Sequence, residues 1–177
     1  MNRVTVMGET DIISAINYAR ICAFRWDVFP YSLLVDMDIP ASKKNGDEYQ
    51  RRAWVCFVGA DEMTINCKGA RIPAGIFLSD GAGRYLLNEK FFSFQCYAYL
   101  PAYGGGSRLL GPCVETLEVV AMNAYGAVSE QAALTQEFGG LSYQDRNSLA
   151  TDAELYDALV KFAGAESRPC LKDMSST

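Results

Sequence analysis

The sequence predicts an α/β domain: a mixed, mainly antiparallel sheet flanked by helices. Three observations carry this reading. RVTVM at 3–7 alternates like a strand; strand-like runs at 53–58 and about 63–72 flank a turn; and the apolar run at 113–122 precedes helical patterns at 127–138 and 152–164. A hairpin after the first helix, followed by a strand and more helix, departs from the regular βαβ array that builds a parallel sheet. With 177 residues, the chain has the length of a single domain spanning 1–177.

Each element has its own signal. Gly8 ends the first strand, and Thr10 or Asp11 offers an N-cap for a helix running to about residue 26, with Ile12, Ile13, Ile16, Tyr18, Ala19 and Ala23 largely on one face. Arg25 then falls in its last turn, where the helix dipole favours a cation. Residues 30–52 contain two prolines, a Lys-Lys pair and Asn-Gly, and read as a long loop or lid. AWVCFV, a turn at 59–62 and the run to about 72 form an expected hairpin. YLLNEKFFSFQCYAYL at 85–100 fits a short helix or a strand, and the glycines of PAYGGGS at 101–107 mark a flexible loop. CVETLEVVAM carries Glu115 and Glu118 in an otherwise buried-looking strand, where a carboxylate is paired, turned outward or raised in pKa. Thr151 or Asp152 caps the last helix and Gly164 stops it; the tail after it shows no clear element.

Composition excludes several functions. Half the residues are apolar, and 21 acidic against 16 basic side chains give a net charge of −5, with no basic stripe for nucleic acid. No apolar run has the length of a membrane span, and the N-terminus lacks the apolar core of a signal peptide, so the expectation is a cytoplasmic protein that does not engage a membrane. The six cysteines show no metal-like spacing and are expected to be reduced, mostly as small buried hydrophobes. Histidine is absent. That removes histidine-based triads, histidine general bases and imidazole zinc sites, so no metal is expected and proton transfer falls to carboxylates, lysine, tyrosine, cysteine or water.

Three stretches resemble the acyl-homoserine-lactone synthases, the autoinducer synthases, whose fold is related to that of the N-acetyltransferases. RWDVF at 25–29 resembles the family's Arg-x-x-Val-Phe, GDEYQ at 46–50 its acidic lid signature, and GARIP followed by RYLLNEKFF its Gly-x-x-Arg-Leu and Pro-Tyr-Leu-Leu segments. The resemblance covers residues 1–95 and implies acyl transfer from an acyl carrier protein or acyl-coenzyme A to the amine of S-adenosylmethionine or a similar small amine, with no bound cofactor. It places Glu118 and Asp47 as catalytic carboxylates and Arg25, Arg71 and Glu48 as substrate-binding residues. Arginines suit such a task because their planar fork holds a carboxylate, and carboxylates can position an ammonium or accept its proton.

Departures from the family pattern are equally specific. The second lid aspartate falls on Gln50, the arginine after the strand glutamate falls on Ala121, and SLLVDMD has no counterpart of the lid tryptophan. Only 13 residues follow Gly164, so the family's closing strands have no equivalent and the fold is expected to be shortened at its C-terminal side. NAYGAVS at 123–129 supplies one glycine where acetyl-coenzyme A enzymes place a glycine-rich phosphate loop. Three readings follow: a divergent acyltransferase, a non-catalytic small-molecule-binding protein on the same fold, or an oligomeric structural protein. In the last, the aromatic stretch 91–103 or an open sheet edge makes a homodimer.

Overall fold

The computed structural model describes residues 3–27, 32–67, 75–78, 82–86, 89–101, 107–110, 114–136 and 140–166. Along the chain these form β1 (Val4–Met7), α1 (Glu9–Ala15), β2 (Arg20–Asp27), β3 (Ser32–Lys44), β4 (Asp47–Val58), β5 (Glu62–Cys67), β6 (Gly75–Leu78) and β7 (Ala82–Leu86). There follow β8 (Glu89–Pro101), β9 (Ser107–Leu110), β10 (Val114–Ala121), β11 (Asn123–Ser129), β12 (Ala133–Leu134), α2 (Tyr143–Leu149) and α3 (Asp152–Glu166). The expected class holds: antiparallel pairings run through the order β1-β11-β4-β3-β2-β6-β8-β10-β5, with helices flanking the sheet. No helix among the described residues is long and apolar enough to cross a membrane.

Alternation along β3 and β4 gives the sheet two apolar faces. Leu33, Val35, Met37 and Ile39 point inward with Ala53, Val55 and Phe57, and α1 lays Ile12 and Ile16 on the same core. The outer face presents Leu34, Trp54 and Cys56, with Tyr125 and Ala127 of β11, and is covered by Leu155, Tyr156, Leu159 and Phe162 of α3. Burial on both faces explains why these central strands are long apolar runs.

At one corner two strands turn together. β4 pairs with β11 and β5 with β10, while the Met122 N–H donates to Val58 O at 2.8 Å and the Asp61 N–H to Val120 O at 3.0 Å. Gly59 makes the bend with φ +61, and a Cβ there would meet the Met122 side chain at 2.8 Å. The expected hairpin of 53–58 with 63–72 is therefore corrected: β5 continues past the corner and pairs with β10, not with β4.

Four other expectations change. The helix predicted to reach residue 26 ends at Ala15, its N-cap is Gly8 rather than Thr10 or Asp11, and Tyr18 at φ 63 turns the chain into β2. Arg25 is thus a strand residue, and no helix dipole accounts for its charge. The predicted lid over 30–52 contributes β3 and the start of β4, joined through Asn45 and Gly46 with φ 54 and 87, the left-handed pair that Asn-Gly supplies to a tight hairpin. The helix expected over 127–138 is replaced by β11, whose Ala124, Tyr125, Ala127 and Val128 are buried, and by the short β12. Finally, α3 continues through Gly164 to Glu166. Within 85–100 the described residues are strand, the end of β7 and most of β8. Of the loop expected over 101–107, Pro101 ends β8 and Ser107 begins β9, while 102–106 and the tail from 167 lie outside the described residues.

Candidate functional site

The outer face beside α2 and α3 holds most of the buried charge. Asp36 and Asp38 alternate with Val35 and Met37 along β3, so they face outward, opposite Trp54 and Arg52 of β4. Arg52 is almost fully buried; its Nη1 donates to Ala150 O at 2.7 Å and its Nη2 to Asp36 at 3.2 Å and to Asp152. Arg146 of α2 reaches down from the other side and pairs with both Asp36 and Asp38. Asp38, 0% exposed, also accepts the Leu141 N–H at 3.0 Å. Its carboxyl is raised above the usual range by burial, against the pull of Arg146 and the Leu141 N–H.

Cys22 joins this cluster through a local irregularity. The pairing of β2 with β3 shifts register between Ile21 and Ala23, a bulge that leaves Cys22 without a strand partner. Its Sγ sits 2.9 Å from Arg146 Nη1 and 3.5 Å from Asp38 Oδ2. Although Cys22 as a residue is exposed, crowding by the cluster and then the Asp38 charge push its thiol up to about 12. A thiol held protonated at neutral pH is a poor nucleophile.

On the same outer face, α3 leaves a shallow groove against the sheet that encloses about 10 Å³ and is otherwise open to solvent. Leu34, Cys56 and Tyr125 line its sheet side, Tyr156, Leu159 and Val160 its helix side, and Asp27 and Ser32 also face it. Arg25 stands at the rim. Its guanidinium lies over the Trp54 and Tyr156 rings at 6.0 and 5.8 Å, 61% exposed, with the Asp27 carboxylate 3.9 Å away. Burial, and then the Asp27 charge and its hydrogen bond, raise the Tyr156 hydroxyl above its usual value. The chemistry on offer is cation–π contact, a loose charge pair and an apolar floor.

The residues singled out from sequence are spread over the molecule. Arg25 pairs across to Leu34, whereas Asp47 sits at the β3–β4 hairpin end opposite Lys44, roughly 30 Å farther along β3 at about 3.3 Å per residue. Glu48 is beside Asp47 and pairs with Lys43 at 2.6 Å on the surface. Glu118 lies on β10 between Ser93 and Thr64 of its neighbours, on the face opposite the core residues Leu117 and Val119. Arg71 lies outside the described residues. Asp47 and Glu48 thus share one hairpin end, while Arg25 and Glu118 stand elsewhere. Sequence reading passed over Asp36, Asp38, Arg52 and Arg146; the available signal was a pair of aspartates at i and i+2 inside the apolar run SLLVDMDI.

Among the described residues, no group of histidine, cysteine, aspartate or glutamate side chains is arranged to hold a metal ion. Compared with protein-family models, with curated proteins and with solved structures, the chain matches none of them.

Proposed function

We propose that this chain is a non-catalytic small-molecule-binding protein, with the groove under α3 as its binding surface. One observation carries the reading: among the described residues, the charged candidates Arg25, Asp47, Glu48 and Glu118 do not converge, and the buried charges that do converge are already paired with one another. Such pairing leaves neither Asp36 nor Asp38 poised to accept a proton from an amine. Only about 10 Å³ of the groove is enclosed, room for about one water-sized group, so a ligand would lie along its open surface rather than fill a cavity. The groove would take an apolar body against Leu34, Leu159 and Val160, with a polar head beside Arg25 and Asp27.

Two measurements test this. Titration of the labelled protein with hexanoate and with hexylammonium is expected to shift resonances of Tyr156 and Leu159 saturably for at least one probe; no response to either removes the groove as a binding surface. Incubation with S-adenosylmethionine and hexanoyl-coenzyme A, followed by thiol release, is expected to show no turnover. Turnover that disappears in Arg25→Ala would restore the autoinducer-synthase reading, with S-adenosylmethionine and the acyl thioester as substrates.

The proposal includes a homodimer. Among the described residues, β1 pairs on one side only, with β11, and its Val-Thr-Val-Met sequence carries neither charge nor proline to blunt the other edge. Light scattering at micromolar concentration is expected to give the dimer mass, and a monomer mass would remove the dimer from the proposal.

A further inference from the structure

The two C-terminal helices are fastened to the sheet by different chemistry. α3 is held by apolar packing, through Leu155, Leu159, Tyr156 and Phe162 on Trp54, Tyr125 and Ala127. α2 is held chiefly by charge: Arg146 on Asp36 and Asp38, the Leu141 N–H on Asp38, and Arg52 on the Ala150 carbonyl. Leu141 and Leu149 are buried, 5% exposed, yet outside the two core clusters, and Tyr143 points into solvent at 83% exposure; of residues 140–150 it is Ala150, at the joint with α3, that belongs to a core cluster.

The joint between the helices is equally telling. Ala150, after the last turn of α2, is fully extended at φ −163 and ψ 139, so the helices do not run on as one. α3 has a start of its own: the Glu154 N–H donates to Thr151 Oγ1 at 3.3 Å, and the Thr151 N–H donates back to Glu154 Oε2 at 2.8 Å. This reciprocal capping box satisfies the Thr151 and Glu154 amides without help from α2. Cutting α2 loose therefore leaves α3 capped and packed.

We propose that residues 140–150 form a hinged strap over the outer face, latched by the Arg146–Asp38–Asp36 contacts and able to lift while α3 and the sheet stay folded. Lifting it uncovers Asp36 and Asp38 and takes the Arg146 guanidinium off the already exposed Cys22 thiol, so the strap gates the two carboxylates. This goes beyond the groove itself, since the strap's hinge and latch do not depend on what the groove binds. Local opening of this kind is expected wherever an element has few apolar anchors of its own.

Native-state hydrogen exchange on the full chain reads the strap directly. The amides of Leu141, Arg146 and Ala150 are expected to exchange at least about tenfold faster than those of Leu155 and Val55, by an opening insensitive to low denaturant. In Arg146→Leu the Leu141 and Ala150 amides should exchange about tenfold faster again, with Leu155 and Val55 unmoved. Tyr143→Ala should change none of these. Exchange of 141–150 in step with Leu155 in the wild-type chain would overturn the proposal, as would an Arg146→Leu effect spread equally over α3 and β4. The wild-type comparison decides even if the variant fails to fold.

Discussion

Replacing Phe57 with alanine is expected to lower the stability of the fold by about 3 to 5 kcal/mol, the range for truncating a fully buried phenylalanine. Phe57 is 0% exposed and meets Phe92 and Phe94 edge-on, with ring centroids 5.2 and 6.4 Å away. Those partners belong to β8, which is not a sheet neighbour of β4, so the three rings join distant parts of the curled sheet through its interior. No ladder hydrogen bond can replace that contact. In a chain of this size the change corresponds to a drop in Tm of roughly 10 °C. Urea denaturation followed by tryptophan fluorescence measures it. Phe57→Leu should lose less, because it keeps part of the apolar volume; equal losses in both variants would show that ring volume is not what the site requires.

Arg52→Met is expected to cost about 3 to 5 kcal/mol as well, for an electrostatic reason. Arg52 is 4% exposed, and its guanidinium serves Asp36, Asp152 and the Ala150 carbonyl at once. Removing it leaves the carbonyl without that donor and Asp36 with Arg146 alone, both against the sheet. The magnitude separates it from a surface pair, where the loss would be within about 1 kcal/mol. Combining Arg52→Met with Asp36→Leu should recover part of the loss, since deleting both partners of a buried pair avoids a stranded charge. Urea midpoints of the two singles and the double close the cycle. A loss below about 1 kcal/mol for Arg52→Met would mean that water replaces its contacts.

The parts of this fold that were legible in the sequence are those in which local pattern and tertiary role agree. RVTVM, CVETLEVVAM and DAELYDALVKFAG each show one period and became β1, β10 and α3. The misreadings came where two patterns coincide. Beyond Ala15 the helical spacing is carried by Tyr18, Ala19 and Ala23, but Tyr18 turns the chain at φ 63 and Ala23 is an exposed residue of β2 just after the bulge at Cys22. In NAYGAVS burial on both faces erases alternation, and alanine is a good helix former, so the strand reads as helix. In 30–52 the proline and Asn-Gly looked like loop chemistry. They mark instead a register shift after Pro40 and a tight hairpin turn, while Leu33, Val35, Met37 and Ile39 alternate as a buried strand should.

The site was less legible than the fold, because its charges meet only through the fold. Asp36 and Asp38 come from β3, Arg52 from β4 and Arg146 from α2, and nothing in their spacing along the chain announces a cluster. Arg25, by contrast, drew attention through its neighbours in sequence. The structure gives it a role that the RWDVF stretch alone did not suggest: a strand-borne cation resting on Trp54 and Tyr156 beside the α3 groove.

The pairing of β1 with β11 joins Val4 to Ser129 and Met7 to Gly126. During synthesis, the first strand of the protein must therefore wait for the chain to be extended by more than a hundred residues before its ladder can form. At about 5 to 20 residues per second that delay is on the order of ten seconds. Over that interval β4 also lacks β11, so a nascent chain paused before residue 123 carries an unpaired, apolar strand edge at its centre. Translation speed through the second half of the message thus sets how long the newborn protein is exposed to aggregation.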